Sequence, residues 1–328
     1  MSEKSPIKWK FKAGGEITDL CLIFDGLVYF GSKDKNLYAL DAETGEEKWK
    51  FEGEGYIRSS PTISHGLVFF GGYGNYLYAL DAKTGTEKWK FKNGGYILGS
   101  TTMIDGIIFF GSNEKYLYAL NAETGAENWN FETESSICEI GAGDGLVLIG
   151  AKNHLYALDI KTGRKIWQIE ASTEDISPIV KEKIVFYVGE GYLIAIDSKT
   201  GEEKWKFDDG DQLTQPVVSD GVVYFGSLTL DGDYNPLDNY LYALDIINGE
   251  EKWKVKNEYV YNPAISNGII YFGGDGNYLS ALDSKTGEEK WKYETESYIE
   301  SIPVVLNDML YFSNASNHLY ALDHKLVR

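Results

Sequence analysis

Residues 77–89, LYALDAKTGTEKW, decide the fold, because this stretch recurs along almost the whole chain. Its first five residues have seven further copies, such as LYALD at 37–41 and LYALN at 117–121. Its tryptophan recurs in the same phase, at Trp9, Trp49, Trp89, Trp129, Trp167, Trp205, Trp253 and Trp291. The intervals are 40, 40, 40, 38, 38, 48 and 38 residues. A fixed period of this length indicates a repeat architecture.

Each unit contains four short apolar runs. In the unit from 56 to 91 these runs are 61–63, 67–70, 77–80 and 88–91. They are rich in β-branched and aromatic residues, they are separated by glycine-containing turns, and they show no helical period, so we expect strands. Four strands in about 40 residues are typical of a propeller blade. We therefore predict an all-β fold, an eight-bladed β-propeller of four-stranded antiparallel blades, formed by a single domain covering 1–328.

Prolines and turn residues order the strands within a unit. Asp81 and Gly85 lie four residues apart in the turn before the tryptophan strand, where the carboxylate can accept backbone N–H groups and glycine can adopt positive φ. A strand with proline lacks one ladder N–H and must be an edge. Five prolines mark the first strand as the inner edge: Pro61, Pro178, Pro216, Pro263 and Pro303. The tryptophan strand is then the outer edge, and residues 7–12 are expected to complete the last blade.

These motifs resemble the repeat of the pyrroloquinoline quinone (PQQ) dehydrogenase type, and the resemblance covers all eight units. In that family the repeated tryptophan docks between neighbouring blades near the alanine of the third strand, so the eight tryptophans are interpreted as structural. The chain is similar in size to the propeller lipoprotein of outer-membrane assembly, a noncatalytic scaffold. The resemblance thus implies either a scaffold or an enzyme.

The enzyme alternative is a PQQ-dependent quinoprotein oxidoreductase (dehydrogenase) that binds PQQ and calcium. The resemblance to such enzymes implies a ring of adjacent disulfide-linked cysteines above the cofactor. In this sequence Cys21 and Cys138 are far apart. The long insertions that build the cofactor pocket are also missing. We therefore do not expect PQQ to bind, and we favour no cofactor. The two cysteines are expected to be small buried thiols.

Charge and hydropathy limit the partners. The 328 residues carry 31 Lys+Arg against 50 Asp+Glu, a net charge of −19, with no basic stripe. Nucleic acid is therefore not an expected partner, whereas basic proteins or cations suit the overall charge. No run of apolar residues is long enough for a transmembrane segment, and the first residues contain no apolar signal sequence. We expect a monomer in the cytoplasm.

The interval of 48 residues comes from a long loop, 226–240. Four oxygen-bearing side chains alternate within it, at Asp231, Asp233, Asn235 and Asp238. Such spacing can wrap a hard cation, so one interpretation is a calcium site. Pro236 stands where a calcium loop has glycine, and no glutamate follows at the bidentate position. The other interpretation is a solvated acidic loop.

The loops that enter each first strand carry the candidate binding residues. We expect these loops on the same face as the long loop, because strands alternate in direction. A funnel for a protein or a small polar ligand would be lined by Glu16, Tyr56, Arg58, Tyr96, Tyr259, Tyr261, Tyr298 and Glu300. Tyrosines and arginine around a channel mouth suit such binding. No catalytic residues are proposed, and the favoured function is a noncatalytic binding scaffold.

Overall fold

The computed structural model describes residues 5–18, 21–97, 99–137, 139–171, 176–208, 212–229, 239–256, 260–274, 277–299 and 301–327. These residues form eight antiparallel sheets, which are the blades of a propeller. The predicted fold is confirmed.

Strand β1 (Ile7–Lys12) comes first in the chain. The strands of blades 1 to 4 follow, four to a blade: β2 (Leu22–Phe24), β3 (Leu27–Gly31), β4 (Asn36–Asp41), β5 (Glu47–Glu52); β6 (Thr62–Ser64), β7 (Leu67–Phe70), β8 (Tyr76–Asp81), β9 (Glu87–Lys92); β10 (Thr102–Ile104), β11 (Ile107–Gly111), β12 (Tyr116–Asn121), β13 (Glu127–Glu132); β14 (Ile140–Gly143), β15 (Leu146–Ala151), β16 (His154–Asp159), β17 (Lys165–Glu170).

The strands of blades 5 to 8 complete the ring: β18 (Ile179–Lys181), β19 (Ile184–Gly189), β20 (Tyr192–Asp197), β21 (Glu203–Asp208); β22 (Gln212–Leu213), β23 (Val217–Ser219), β24 (Val222–Leu228), β25 (Tyr240–Asp245), β26 (Glu251–Lys256); β27 (Ala264–Ser266), β28 (Ile269–Phe272), β29 (Tyr278–Asp283), β30 (Glu289–Glu294); β31 (Val304–Leu306), β32 (Met309–Asn314), β33 (His318–Asp323). A 3-10 helical turn, His324–Leu326, follows. Blade 6 has the extra two-residue strand β22, which pairs with β24.

The first strand and the tryptophan strand are the two edges of each sheet, as in the order β2-β3-β4-β5. First strands of neighbouring blades contact each other, for example β10 with β14 and β14 with β18, so they form the inner ring. The five prolines lie one residue before these strands rather than inside them, since β6 begins at Thr62 and β18 at Ile179. The prediction that these prolines lie inside the strands was wrong by one residue. Proline precedes each strand because it has no N–H to donate to the ladder.

The ring closes through β1, as predicted. Strand β1 pairs antiparallel with β33 and becomes the outer strand of blade 8. Its Trp9 donates its indole N–H to the carbonyl of Ala42 in blade 1 at 3.0 Å. The Tyr311 hydroxyl of blade 8 donates to the same carbonyl at 3.0 Å. The two ends of the chain thus hold the first and last blades together.

The core lies between the blades rather than within one sheet. In β4, Leu37 and Ala39 face the cluster shared with blade 2, while Tyr38 and Leu40 face the cluster shared with blade 8. Both faces of the third strand are therefore buried, which explains why it reads as a nearly continuous apolar run.

The ring has two distinct faces. The hairpin between first and second strands lies beside the turn between third and fourth strands, joined by the Ala82 N–H to the Gly66 carbonyl at 2.8 Å. We call this side the turn face. The opposite side, the loop face, holds the loops between second and third strands and the crossovers between blades. There the Tyr73 N–H donates to the Tyr56 carbonyl at 2.9 Å.

Candidate binding site on the loop face

The repeated tryptophans join neighbouring blades. The Trp49 indole N–H donates to the Ala82 carbonyl of the next blade at 3.0 Å. The indole lies directly against Gly85, where an added Cβ would stand 2.7 Å from the ring. Within the described residues the same N–H bond, at 2.9–3.3 Å, joins seven tryptophans to the next blade: Trp9, Trp49, Trp89, Trp129, Trp167, Trp205 and Trp253. These side chains serve packing.

The turn aspartates also serve the architecture. Asp81 Oδ1 accepts the backbone N–H groups of Lys83 and Thr84 at 3.2 and 3.1 Å. Lys88 of the outer strand lies 3.2 Å from Asp81 Oδ2. Hydrogen bonds from Lys88 and Thr84 hold the pKa of Asp81 below its usual value. A lysine meets the equivalent aspartate at Lys8–Asp323, Lys48–Asp41, Lys204–Asp197, Lys252–Asp245 and Lys290–Asp283.

One recurring backbone contact presents the predicted funnel residues on the loop face. The carbonyls of four of them accept an N–H from the neighbouring loop at 2.9–3.1 Å: Glu16, Tyr56, Tyr96 and Tyr298. The next residue in each case is a buried isoleucine, for example Ile57 after Tyr56. Because successive side chains of extended backbone point to opposite sides, the preceding side chain is turned outward. Tyr56 is 50% exposed and Tyr96 is 40% exposed.

Three tyrosines form a continuous aromatic surface across blades 2 and 3. The rings of Tyr56 and Tyr73 meet edge to face, with centroids 6.2 Å apart. The rings of Tyr73 and Tyr96 lie 4.8 Å apart. Arg58 Nη1 donates to the Tyr73 hydroxyl at 3.1 Å. The structure therefore brings Tyr56, Arg58 and Tyr96 together, and the residue that joins them, Tyr73, was missed because its GYG setting was interpreted as a turn.

A cleft opens beside this aromatic surface, between the loops of blades 1 and 2. Its volume is about 510 Å³ and it is lined by Lys33, Lys35, Gly55, Tyr56, Arg58 and Tyr73. Glu16 borders the cleft through an ion pair with Lys33 at 2.5 Å. The two lysines were not predicted, because they belong to the second-to-third-strand loop of the preceding blade. We call this feature the Lys–Arg–Tyr cleft.

The other predicted funnel residues lie elsewhere. Tyr298 is exposed at the entry to blade 8, and the Tyr261 N–H donates to the Gly273 carbonyl in blade 7 at 3.1 Å. Among the residues that the structure describes, neither of them lines the Lys–Arg–Tyr cleft. Tyr259 and Glu300 lie outside the described residues. The predicted funnel therefore includes three residues that touch a shared surface, with Glu16 at its border.

A larger cavity on the turn face is a feature of the repeat. It has about 1040 Å³ between blades 2 and 3, and its wall includes His65, Leu67, Lys88 and Ala122. A cavity of about 650 Å³ between blades 8 and 1 is lined at the equivalent positions by Asn307, Met309, Lys8 and Ala42. Because the same groove recurs with blade packing, its size does not mark a specific site. The Lys–Arg–Tyr cleft is built from residues that differ between units.

The predicted calcium ligands lie outside the described residues: Asp231, Asp233, Asn235 and Asp238. At the base of their loop, the Thr229 N–H donates to Asn239 Oδ1 at 2.7 Å. In the part of the chain that is described, no three His, Cys, Asp or Glu side chains cluster closely enough to hold a metal ion. The calcium site stays a prediction.

The described cysteine does not match the cysteine ring that the resemblance implies above PQQ. Cys21 is buried in the cluster between blades 8 and 1, and burial raises the pKa of its thiol to about 12. A thiol enclosed in that cluster does not offer the adjacent-cysteine ring expected above the cofactor. Cys138 lies outside the described residues.

A comparison with protein-family models identifies the family of this chain. The family model described as outer membrane protein assembly factor BamB matches residues 7–104, 97–185, 171–264 and 237–326. These matches cover nearly the whole length, and the chain belongs to this family of PQQ-like repeat propellers. No curated protein sequence matches. Within the described residues, no helix is both long enough and apolar enough to cross a membrane.

Solved structures agree with this fold. BamB from Moraxella catarrhalis superposes with a TM-score of 0.74 at 19% identity, covering 97% of this chain and 99% of that chain. The computationally designed Ika8 protein gives 0.80 at 16% identity, covering 94% and 100%. Quinohemoprotein alcohol dehydrogenase ADHIIG from Pseudomonas putida HK5 gives 0.77 at 15% identity, covering 97% of this chain and 76% of that chain. At these identities the likeness shows the fold alone.

Proposed function

We propose that this propeller is a noncatalytic scaffold that binds a partner protein through its loop face. The observation that carries the proposal is the surface of Tyr56, Tyr73 and Tyr96 with Arg58 at its edge. Tyrosine and arginine are enriched at the energetic centres of protein interfaces, since they contribute large contact areas and directed hydrogen bonds. The family description, an assembly factor, supports a role in holding other proteins.

The rigidity of the scaffold supports the same proposal. The loops that carry Tyr56 and Tyr73 are joined by a backbone hydrogen bond, from the Tyr73 N–H to the Tyr56 carbonyl at 2.9 Å. A surface held in its binding conformation loses little conformational entropy when a partner docks. Loops on a rigid framework are common positions for binding residues.

A pull-down from the native host with two face-matched variants tests the proposal. The loop-face variant is Tyr56→Ala, Arg58→Ala, Tyr298→Ala. The control removes exposed apolar side chains on the turn face: Phe24→Ala, Ile247→Ala, Leu306→Ala. We expect the loop-face variant to lose the captured partner and the control to retain it, with both proteins folded. Unchanged capture by the loop-face variant would contradict the proposal.

A further inference from the structure

We infer that the Lys–Arg–Tyr cleft binds a carboxylate side chain on an extended segment of the partner protein. The inference rests on the proposed function and adds the chemistry of the ligand. The cleft brings three cationic side chains, Lys33, Lys35 and Arg58, around one cavity. A cavity of this size is within the usual range for ligand sites, roughly 300–1,000 Å³.

The charge of the cleft differs from that of the rest of the chain. The whole protein carries −19, yet among the described residues three cations and no carboxylate line the cavity. Three carboxylates lie beside it: Glu16 pairs with Lys33, Asp34 stands between the two lysines in the chain, and Glu54 next to Gly55 lies 3.7 Å from Lys90. The Asp34 carboxylate accepts the Gly14 N–H at 3.0 Å and the Tyr38 hydroxyl at 2.5 Å, so these donors occupy its oxygen while its charge remains. The described lining of the cavity is therefore cationic on an acidic protein, and an anionic group complements it.

Arg58 is held in a position suited to a carboxylate. Its guanidinium donates to the Tyr73 hydroxyl at 3.1 Å, which fixes the group at the cleft wall. A guanidinium plane matches the two oxygens of a carboxylate better than an ammonium does. Lys33 and Lys35 add charge from the opposite loop, on blade 1. The three cations therefore meet a ligand from two sides.

Glycine permits this arrangement at the wall between the loops. A Cβ on Gly55 would stand 2.6 Å from the Tyr73 carbonyl carbon, so another residue there would push the two loops apart. Gly55 thus keeps the Tyr73 ring next to Tyr56 and Arg58. The shape of the cleft depends on contacts present at this crossover and not on the turn-face repeat.

The size of the aromatic surface favours a peptide over a free small acid. Tyr56 and Tyr96 extend the contact area beyond the cavity, so residues next to the bound carboxylate can lie against their rings. The long-range field of a chain with −19 charge repels a polyanion. We therefore expect a segment with one or two acidic residues beside an apolar or aromatic residue.

Selection from a displayed library of random dodecapeptides tests the inference. Selected peptides are synthesised and titrated against the parent, the cleft variant Lys33→Gln, Lys35→Gln, Arg58→Gln, and a control variant. The control, Lys83→Gln, Lys161→Gln, Arg164→Gln, removes the same charge from the turn face. We expect selected peptides to contain Asp or Glu, and the cleft variant to bind them at least about tenfold more weakly. The control should stay within about twofold of the parent.

The outcomes separate the inference from the proposed function. Peptides that lose affinity for the Tyr56→Ala, Arg58→Ala, Tyr298→Ala variant but bind the cleft variant as tightly as the parent would overturn the carboxylate site alone. So would tight binders without acidic residues. Failure of the parent to select any loop-face peptide would count against both. Competition with free succinate distinguishes the ligand source, because complete displacement by millimolar succinate would contradict a peptide segment and indicate a free dicarboxylate.

Discussion

The turn face and the loop face of the propeller are built on the same eight units but differ in how closely the units resemble one another. On the turn face, Asp, Thr and Gly recur at fixed positions, and grooves between different blade pairs have equivalent walls. On the loop face, the position of Tyr56 is occupied by Glu16 in blade 1 and Ser136 in blade 4. Repetition thus marks the residues that hold blades together, and the residues that we propose for recognition vary between units.

Loss of the closing strand should give the largest effect on the architecture. Deleting residues 1–12 removes β1, its pairing with β33 and the Trp9 contact to Ala42. Loss of a docked tryptophan alone costs about 3–5 kcal/mol, so we expect the unfolding midpoint to fall by roughly 10 °C or more. Thermal unfolding followed by circular dichroism measures this. A midpoint equal to that of the full chain would contradict closure through β1.

A matched pair of glycines isolates the contribution of the tryptophan contact. Gly85 and Gly66 both have positive φ, 70° and 74°. An added Cβ meets Trp49 at Gly85 but meets nothing within 4 Å at Gly66. We expect Gly66→Ala to cost about 1–2 kcal/mol through backbone strain, and Gly85→Ala to cost about 1–3 kcal/mol more through the clash. Denaturant unfolding compares the two, and equal losses would show that Trp49 does not restrict this turn.

The turn carboxylates should make stability depend on pH. Because the folded pKa of Asp81 is lowered, mainly by Lys88, its contribution is present above the unfolded pKa of about 4 and is lost as pH falls through the folded value. Asn121 occupies the same turn position in blade 3 and accepts the Thr124 N–H at 2.9 Å. We therefore expect Asp81→Asn to keep the turn but weaken the acid-induced fall of the unfolding midpoint.

Asp159→Asn is the control for this effect. Blade 4 has Ile166 where blade 2 has Lys88, so Asp159 lacks the equivalent lysine contact and its pKa is lowered mainly by Thr162. The change in pH dependence should be smaller for Asp159→Asn than for Asp81→Asn. The unfolding midpoints of the variants are measured from neutral to acidic pH. An Asp81→Asn curve that follows the parent curve throughout would contradict this account.

The smallest effect on stability is expected on the loop face. Tyr56 is half exposed, and its ring contacts another tyrosine of the loop face, Tyr73, rather than the core between blades. Surface substitutions of this kind usually change the free energy of unfolding by less than about 0.5 kcal/mol. We therefore expect Tyr56→Ala to leave the unfolding midpoint unchanged. A large loss of stability would assign Tyr56 to the architecture instead.

The sequence predicts the repeated part of the molecule in detail and the varied part only partly. Trp9 and the spacing of the other tryptophans predict the blades and their closure, because each unit repeats one packing contact. Strand β22 was not predicted; it extends by one residue pair a bridge that blades 1 and 2 also contain, Ile17 with Ser32 and Ile57 with Gly72. Tyr56, Arg58 and Tyr96 were predicted because they lie in loops that lead into first strands. Lys33 and Tyr73 were not predicted as cleft residues. They lie on loops of blades 1 and 2 that both meet the crossover carrying Tyr56, and this meeting depends on how the two blades are placed.

Photo-cross-linking from the two faces tests the central claim most directly. Tyr96 on the loop face and Phe24 on the turn face are aromatic residues with nearly equal exposure, 40% and 39%. Benzoylphenylalanine is placed at one position or the other, and the protein is irradiated in its native host. The account predicts a discrete partner adduct from position 96 and none from position 24. An adduct from position 24 alone would contradict it.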